Sequence, residues 1–431
     1  MANYRFIHAA DLHLDSQFGV LSAEFPELAQ ILRTSTFEAY DRIIDLCIEE
    51  KVDALLIAGD VFDSVDRSLG AEWHFVIGLE RLSQQGIKSF VCHGNHDPLD
   101  GWRAGLDWPV GAYQFGSEPH AIPFDEADPN SPLVTGVSYP TQEVRNNLVT
   151  RFPPPTSNRP SIGLVHANVG ADTGHENYAP CTIDDLITSG YDYWALGHVH
   201  TRRELRGRND GAPVVVYPGN TQGRHRNEQG PRGVYIVEMD ESAGVMALDF
   251  HPTDGIRWQE FECSIDELET DQELIDAVDE NVRIAIDEAD GRHLVYRVLL
   301  TGSGSLHNSL VQPNYLDDLQ RQFNSTFAEL RPFALCEKIV DSSSTQFDRD
   351  QLASGTDFVA DLLAFINQLK NDPEQRTQLK NRAELDALFG HTRARRYLKD
   401  SDPDDSSIVE LIDQAERFLL SNLVETEDES L

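Results

Sequence analysis

Short, nearly continuous apolar runs recur through the first 250 positions: Tyr4–Ala9, Asp53–Ala58, Ile87–Cys92, Leu133–Ser138, Ser161–His166 and Tyr191–Leu196. Runs of this length, without polar alternation, predict strands buried on both faces. Glu24–Lys51 and Leu69–Gln85 lie between the first three and are long and amphipathic enough to be crossover helices. The alternation predicts an α/β domain. Val214–Tyr217 and Val234–Met239 add two strands with no helix between them, and Arg151–Pro160 and Ala127–Pro132 are loops by composition.

The texture changes after about residue 255. Ile256–Glu262 reads as a strand, Asp271–Glu288 as a helix and His293–Thr301 as an alternating strand, together a small α+β appendage. Helical periodicity follows, in one stripe of Phe358, Leu362, Phe365, Ile366 and Leu369 and another of Ile408, Leu411, Ile412, Ala415 and Leu419. The pattern divides the chain into residues 1–255, an α+β capping domain over 256–345, and a helical region over 346–431 that ends in an acidic tail (Glu425, Glu427, Asp428, Glu429).

No run approaches the roughly 18 apolar residues of a membrane span. The N-terminus lacks the basic, apolar and small-residue order of a secretory signal. Cys47, Cys92, Cys181, Cys263 and Cys336 are far apart with no CxxC, which excludes a zinc ribbon and argues against a disulfide framework; they read as buried small hydrophobes. The expected setting is the cytoplasm. The charge changes the picture more. The 431 residues carry a formal net charge of −38, a surface that repels polyanions unless salt screens it. Adaptation to a saline cytoplasm is one account of so acidic and lysine-poor a chain; an acidic protein of an ordinary cell is the other.

Five short motifs follow predicted strands: Asp11-Leu12-His13, Gly59-Asp60, Gly94-Asn95-His96-Asp97, His166 and Gly197-His198-Val199-His200. In open α/β sheets the carboxyl ends of strands form the site, so topology brings these positions together. Each motif alone is weak: a Gly-Asp after a strand is often only a turn. In this order at five strand ends they form a site for divalent metal, offering oxygen and imidazole donors and no thiolate. Asp11, His13, Asp60, Asn95, His166, His198 and His200 are too many ligands for one open catalytic metal. With one bridging carboxylate they serve two metals, an arrangement that clamps both oxygens of an in-line displacement at phosphorus. Two divalent ions against two aspartates leave a positive centre even in this acidic chain. His8 and His93 read as structural, Asp15 as a neighbour of the site, and Asp97 as a partner that orients His96.

The order DxH, GD, GNHD, H and GHxH resembles the calcineurin-like metallophosphoesterases. The segments FIHAADLHLDS, LLIAGDVFD and YPGNTQGRHRNEQGPRGVY resemble, more closely, the SbcD/YhaO-type DNA repair nuclease subunits. The likeness covers roughly residues 4–240. It implies a four-layer-type metallophosphoesterase sandwich, with Asp11, His13, Asp60 and His200 holding one metal and Asp60, Asn95, His166 and His198 the second. It implies manganese as the usual metal and His96 as the catalytic residue, facing the scissile phosphate rather than ligating. One position departs: where some branches carry a histidine three residues after the GD aspartate, this chain has Asp63.

The resemblance also implies a dimer acting on DNA with an SbcC-like coiled-coil ATPase. No GxxxxGK[ST] loop occurs here, so ATP dependence has to come from that partner. Ile408–Leu419 either docks on such a partner or packs on its own domain. Arg393, Arg395 and Arg396 form the clearest basic cluster and are candidates for contact with backbone phosphate. The leading expectation is a two-metal phosphodiesterase cleaving DNA in a repair complex. The competing ones are a phosphatase or phosphodiesterase on small phosphate esters or cyclic nucleotides, and a scaffold with a vestigial site.

Overall fold

The computed structural model describes residues 3–16, 29–63, 68–101, 105–155, 159–170, 176–240, 244–327, 329–345, 352–380 and scattered positions from 408 to 423. Arg393, Arg395 and Arg396 lie outside the described residues. The chain forms two compact units. One comprises Met1–Gln259, Ala285–Tyr296 and Leu330–Ala334; the other comprises Glu260–Ile284, Arg297–Glu329 and Leu335–Leu431.

In chain order the first unit contains β1 (Asn3–Ala9), α1 (Ala29–Glu49), β2 (Ala54–Ala58), α2 (Leu69–Gln84), β3 (Lys88–Cys92), β4 (Ala112–Gln114), β5 (His120–Pro123), β6 (Leu133–Val137), β7 (Ser161–His166), β8 (Asn168–Val169), β9 (Pro180–Cys181), α3 (Ile183–Thr188), β10 (Tyr193–Gly197), β11 (Arg203–Arg206), β12 (Val214–Tyr217), β13 (Gly233–Asp240) and β14 (Gly244–Pro252). The strands make two six-stranded sheets, ordered β14-β13-β1-β2-β3-β4 and β11-β12-β10-β7-β6-β5. In the first, β1, β2, β3 and β4 run parallel and β13 and β14 add antiparallel strands on one side only; in the second, β12, β10, β7 and β6 run parallel between antiparallel edge strands β11 and β5.

Because side chains alternate across a strand, each central strand feeds two cores. Phe6, Leu56 and Phe90 face Leu164, Tyr193 and Val216 between the sheets. Ile7, Leu55, Ile57 and Val91 instead meet Tyr40, Ile43 and Ile44 of α1 and Phe75 and Leu79 of α2. On the far side Val165, Trp194 and Leu196 pack under Leu148, Phe152 and Leu186. The result is the four-layer α/β sandwich, with a thin fourth layer, since α3 has only six residues. Ser68 caps α2 by accepting from the Ala71 amide at 3.1 Å.

His8 is fully buried and sits between the sheets. Its Nε2–H donates to the Leu196 carbonyl (3.2 Å) and its Nδ1 accepts from the Tyr193 hydroxyl (2.8 Å). Burial pushes its pKa down to about 3. All five cysteines are buried and unpaired.

The second unit holds the greater part of a three-stranded sheet in the order β15 (Ile256–Ser264), β16 (His293–Thr301) and β17 (Ala334–Asp341). The helices of this part of the chain are α4 (Asp271–Glu288), whose last residues from Ala285 belong to the first unit, α5 (His307–Leu310), α6 (Tyr315–Phe327), α7 (Phe358–Asn371) and α8 (Pro373–Lys380). Arg297 donates two hydrogen bonds of 2.9 Å to the Glu337 carboxylate, the planar fork that suits a half-buried pair. Ile366 packs with Ile408 and Ile412, and Val359 and Leu363 with Leu420. Those positions of the last helical stripe therefore fold back on their own unit, while Phe358, Phe365, Leu411 and Leu419 stay exposed. No helix among the described residues is long and apolar enough to cross a membrane.

Candidate metal centre

Every predicted donor lies at or just past the carboxyl end of a parallel strand. Asp11 and His13 follow β1, Asp60 follows β2, and Asn95 and His96 follow β3. His166 closes β7, and His198 and His200 follow β10. Backbone bonds stitch the first two loops together: the amides of Asp11, His13 and Leu14 donate to the carbonyls of Gly59 (3.1 Å), Asp60 (3.0 Å) and Val61 (2.9 Å). The turns are sharp. Asp11 (φ 52°), His13 (φ 46°), Asp60 (φ 49°) and His198 (φ 102°) all adopt positive φ, a conformation that costs free energy in non-glycine residues and clusters at functional sites.

Gly94 is required by close approach. A Cβ there would stand 2.4 Å from Asp60 Oδ1 and 2.6 Å from His166 Cδ2. Gly59, at φ +91°, is required both by its conformation and by the His166 ring, 2.5 Å from where its Cβ would be. The glycines of the GD and GNHD motifs thus leave room for the donors.

His13 Nε2 and His200 Nε2 face each other at 3.2 Å. Asp60 Oδ2 is 4.0 Å from His13 Nε2 and 3.3 Å from His166 Nε2. Asp11 Oδ1 is 4.0 Å from His200 Nε2, and both Asp11 oxygens accept from the His198 amide at 3.1 Å. Asn95 Oδ1 is 3.1 Å from His166 Nε2. Three groups of donor atoms converge within 4.8 Å of one another: Asp11, His13 and His200; His13, Asp60 and His96; and Asp11, Asp60 and His166.

His198 belongs to none of these groups. Its Nε2–H donates to the Glu176 carbonyl at 2.7 Å, which leaves the lone pair of a neutral ring on Nδ1. His166 makes the complementary choice: Nδ1–H donates to the Ala58 carbonyl at 2.9 Å, so in the neutral ring Nε2 is the free donor atom. His200 likewise places Nδ1 on Glu228 Oε1 at 2.7 Å.

Burial pushes the Asp11 carboxyl up to about 6, against the pull of His166 and His200. Burial also opposes ionisation of Asp60, but His166, His96 and His13 outweigh it and hold that carboxyl well below the usual range. Burial, reinforced by Arg224, pushes His13 down to about 3. His166 loses to burial but gains more from Asp60 and rises to about 9. His13 Nε2 and His200 Nε2, 3.2 Å apart, converge with a buried Asp11 oxygen, and Asp60 adds a second carboxylate beside His13 and His166; this clustering of oxygen and imidazole donors fits a divalent cation such as manganese, iron or zinc.

The calcineurin-like phosphoesterase family profile matches residues 4–202, and the profile of the middle domain of metallophosphoesterase YhaO matches residues 258–344. The chain is 36% identical over 282 residues to the uncharacterized metallophosphoesterase YhaO of Bacillus subtilis, covering 65% of this chain and 68% of that one. It belongs to the calcineurin-like metallophosphoesterases. Among related proteins, the DNA double-strand break repair protein Mre11 of Sulfurisphaera tokodaii is 27% identical over 224 residues (51% of this chain, 54% of the relative). The Mre11 of Haloferax volcanii is 26% identical over 250 residues (56% and 50%). The chain thus spans about half the length of these two relatives.

In this metallophosphoesterase one assignment changes. Asp97, which the sequence places behind His96, accepts instead from His93 Nδ1 (2.8 Å) and from the amides of Gly94 (2.8 Å) and Val61 (2.9 Å). Its i+4 spacing from His93 brings those two together inside the turn. The His96 ring leans on Asp63, its Nδ1–H donating to the Asp63 carbonyl at 3.2 Å, with 40% of the side chain open to solvent. The sequence reading singles out the position of Asp63 but misses Arg224 and Glu228 as neighbours of the centre. Arg224 and Glu228 lie in the segment that carries the family resemblance, yet nothing in their spacing points at His13 or His200.

Proposed function

We propose that this metallophosphoesterase is a metal-dependent phosphodiesterase that cleaves DNA, as exonuclease and endonuclease, within a repair complex. The observation that carries hydrolysis at phosphorus is the position of Asp60 between the His13–His200 pair and His166. In this reading Asp11, His13, Asp60 and His200 hold one divalent cation and Asp60, Asn95, His166 and His198 the other, manganese being the metal proposed. When bound, such a pair supplies Lewis-acid stabilisation of charge at a phosphoryl group.

The chain's own residues do the rest. With Nδ1–H spent on the Asp63 carbonyl, His96 offers Nε2 to the partly open side of the site. Protonated, that nitrogen donates to a leaving oxygen; neutral, it takes a proton back. The buried ring of His8 and the Asp97–His93 pair hold the strand ends and do not meet substrate.

DNA as the substrate is supported by similarity to proteins named for double-strand break repair, and by an extent of chain beyond residue 240 that a small-molecule esterase does not need. A dimer is supported by Leu69, Trp73 and Ile77, one exposed stripe of α2 with Trp73 58% accessible. An SbcC-like ATPase is supported by Phe358, Phe365, Leu411 and Leu419, apolar and uncovered. The division into residues 1–255, 256–345 and 346–431, the cytoplasmic setting and phosphate contacts by Arg393, Arg395 and Arg396 belong to the same reading.

The charge of −38 favours a second reading, a phosphatase or phosphodiesterase acting on small esters. Digestion of labelled duplex and single-stranded DNA with manganese, beside a chromogenic phosphodiester, separates the two. Cleavage of DNA is expected, and turnover of the small substrate alone removes the nuclease reading. The same assay across salt tests the saline account, which an optimum below about 0.2 M contradicts.

A further inference from the structure

His13 and His200 are each backed by a carboxylate, and one arginine joins the two. His13 Nδ1 lies 2.9 Å from Asp63 Oδ1, at ion-pair distance though out of line for a hydrogen bond. His200 Nδ1 is hydrogen-bonded to Glu228 Oε1 at 2.7 Å. Arg224 pairs through Nη1 with Asp63 Oδ1. Its backbone amide donates to Glu228 Oε2 at 2.7 Å, and its Nη2 stands 3.7 Å from Glu228 Oε1. Ser16 Oγ completes the fastening by donating to Asp63 Oδ2 at 3.0 Å. With the 3.2 Å approach of the two Nε2 atoms, these contacts close a ring: His13, Asp63, Arg224, Glu228, His200 and back to His13.

We propose that Arg224 is a positioning residue that fixes the His13 and His200 rings through Asp63 and Glu228, and so governs one of the two cation sites. The inference rests on the two-cation reading of the centre. Its physical basis is charge and shape. Glu228 is buried and Asp63 partly so, the two are of like sign, and without a cation between them they repel and turn away from the imidazoles they orient. A guanidinium is planar with forked donors and reaches both at once; a lysine ammonium is a point charge and satisfies one. The Arg224 side chain is 13% accessible and committed to these partners. Its part in the reaction is therefore exerted through the two histidines. The ring also gives Asp63 a role distinct from that of a histidine at the same position. Its carboxylate serves His13 while its carbonyl serves His96, so one residue fastens a cation ligand and the proton-transfer group.

The remaining donors are held by other groups, His166 by the Ala58 carbonyl, Asn95 against His166 Nε2 and His198 by the Glu176 carbonyl, so the effect is expected to be selective. Titration calorimetry of the metal-free full-length protein with manganese is the test, run on wild type, Arg224→Gln, Arg224→Lys and Asp63→Asn, with thermal melting of each metal-free protein alongside. Wild type is expected to bind two cations per chain. Arg224→Gln and Asp63→Asn are expected to keep one site within about twofold and to weaken the other by about 10–100-fold, the usual cost of losing a residue behind a metal ligand. Arg224→Lys should fall between. Equal weakening of both sites, or unchanged binding at both, in the variants that melt like wild type overturns the proposal. Asp63→Asn keeps the bond to Ser16 and the carbonyl to His96, so it remains informative if Arg224→Gln does not fold. If wild type itself binds fewer than two cations, the two-cation reading fails first, and the proposal falls with it.

Discussion

Asp60 Oδ2 stands 3.3 Å from Nε2 of His166, a residue of the opposite sheet. The same oxygen is 4.0 Å from His13 Nε2, so a single carboxylate lies between donors supplied by both sheets. Asp60→Asn keeps the shape and removes the charge, and is expected to weaken both cation sites rather than one. Calorimetry with manganese checks this; a variant that loses one cation and keeps the other at wild-type affinity contradicts a shared Asp60.

His96 has its Nδ1 tied to the Asp63 carbonyl and its ring partly open. His96→Ala is expected to lower turnover of a phosphodiester by about 10²–10⁴-fold, the range for loss of a positioned proton donor. Both cations should remain, as measured by elemental analysis. Undiminished turnover contradicts the role given to His96.

Gly94→Ala places a methyl group where Asp60 Oδ1 and His166 Cδ2 already stand. Overpacking of this kind costs roughly 1–3 kcal/mol, and the displaced groups are two of the proposed ligands. The expected outcome is a folded protein with lowered cation affinity, read by melting and calorimetry together; wild-type affinity contradicts it.

Much of this centre was legible in the sequence because metal chemistry restricts residue type and topology restricts position. Asp11, Asp60 and His166 fall at the ends of strands whose apolar runs have no polar interruption. The edge strand Gly244–Pro252 left no such signal. It pairs only with β13, and its partly exposed residues, such as Met246, blur the period. Arg224, Glu228 and the tie of Arg224 to Asp63 were illegible for another reason: Asp63 and Arg224 are 161 positions apart, and a contact made by two loops leaves no periodicity. Asp97 illustrates a local ambiguity. It adjoins His96 in sequence, but the turn aims its carboxylate at His93.

His8 supplies a pH dependence of stability. Its pKa is about 3 in the folded chain against 6.5 for the free side chain. Between those values the unfolded chain binds the extra proton, so the contribution is full above about pH 6.5 and is lost as pH falls toward 3. Relative to His8→Gln, wild type should lose roughly 2 kcal/mol of unfolding free energy from pH 7 to pH 5. Denaturant unfolding at the two pH values measures this, and a constant difference contradicts it.

The most direct test is a crystal structure of the manganese-loaded protein with anomalous scattering data. Two manganese peaks about 3.5–4 Å apart are expected, with Asp60 touching both, His13 and His200 on one and His166 on the other. A single peak, or two peaks of which Asp60 reaches only one, contradicts the account.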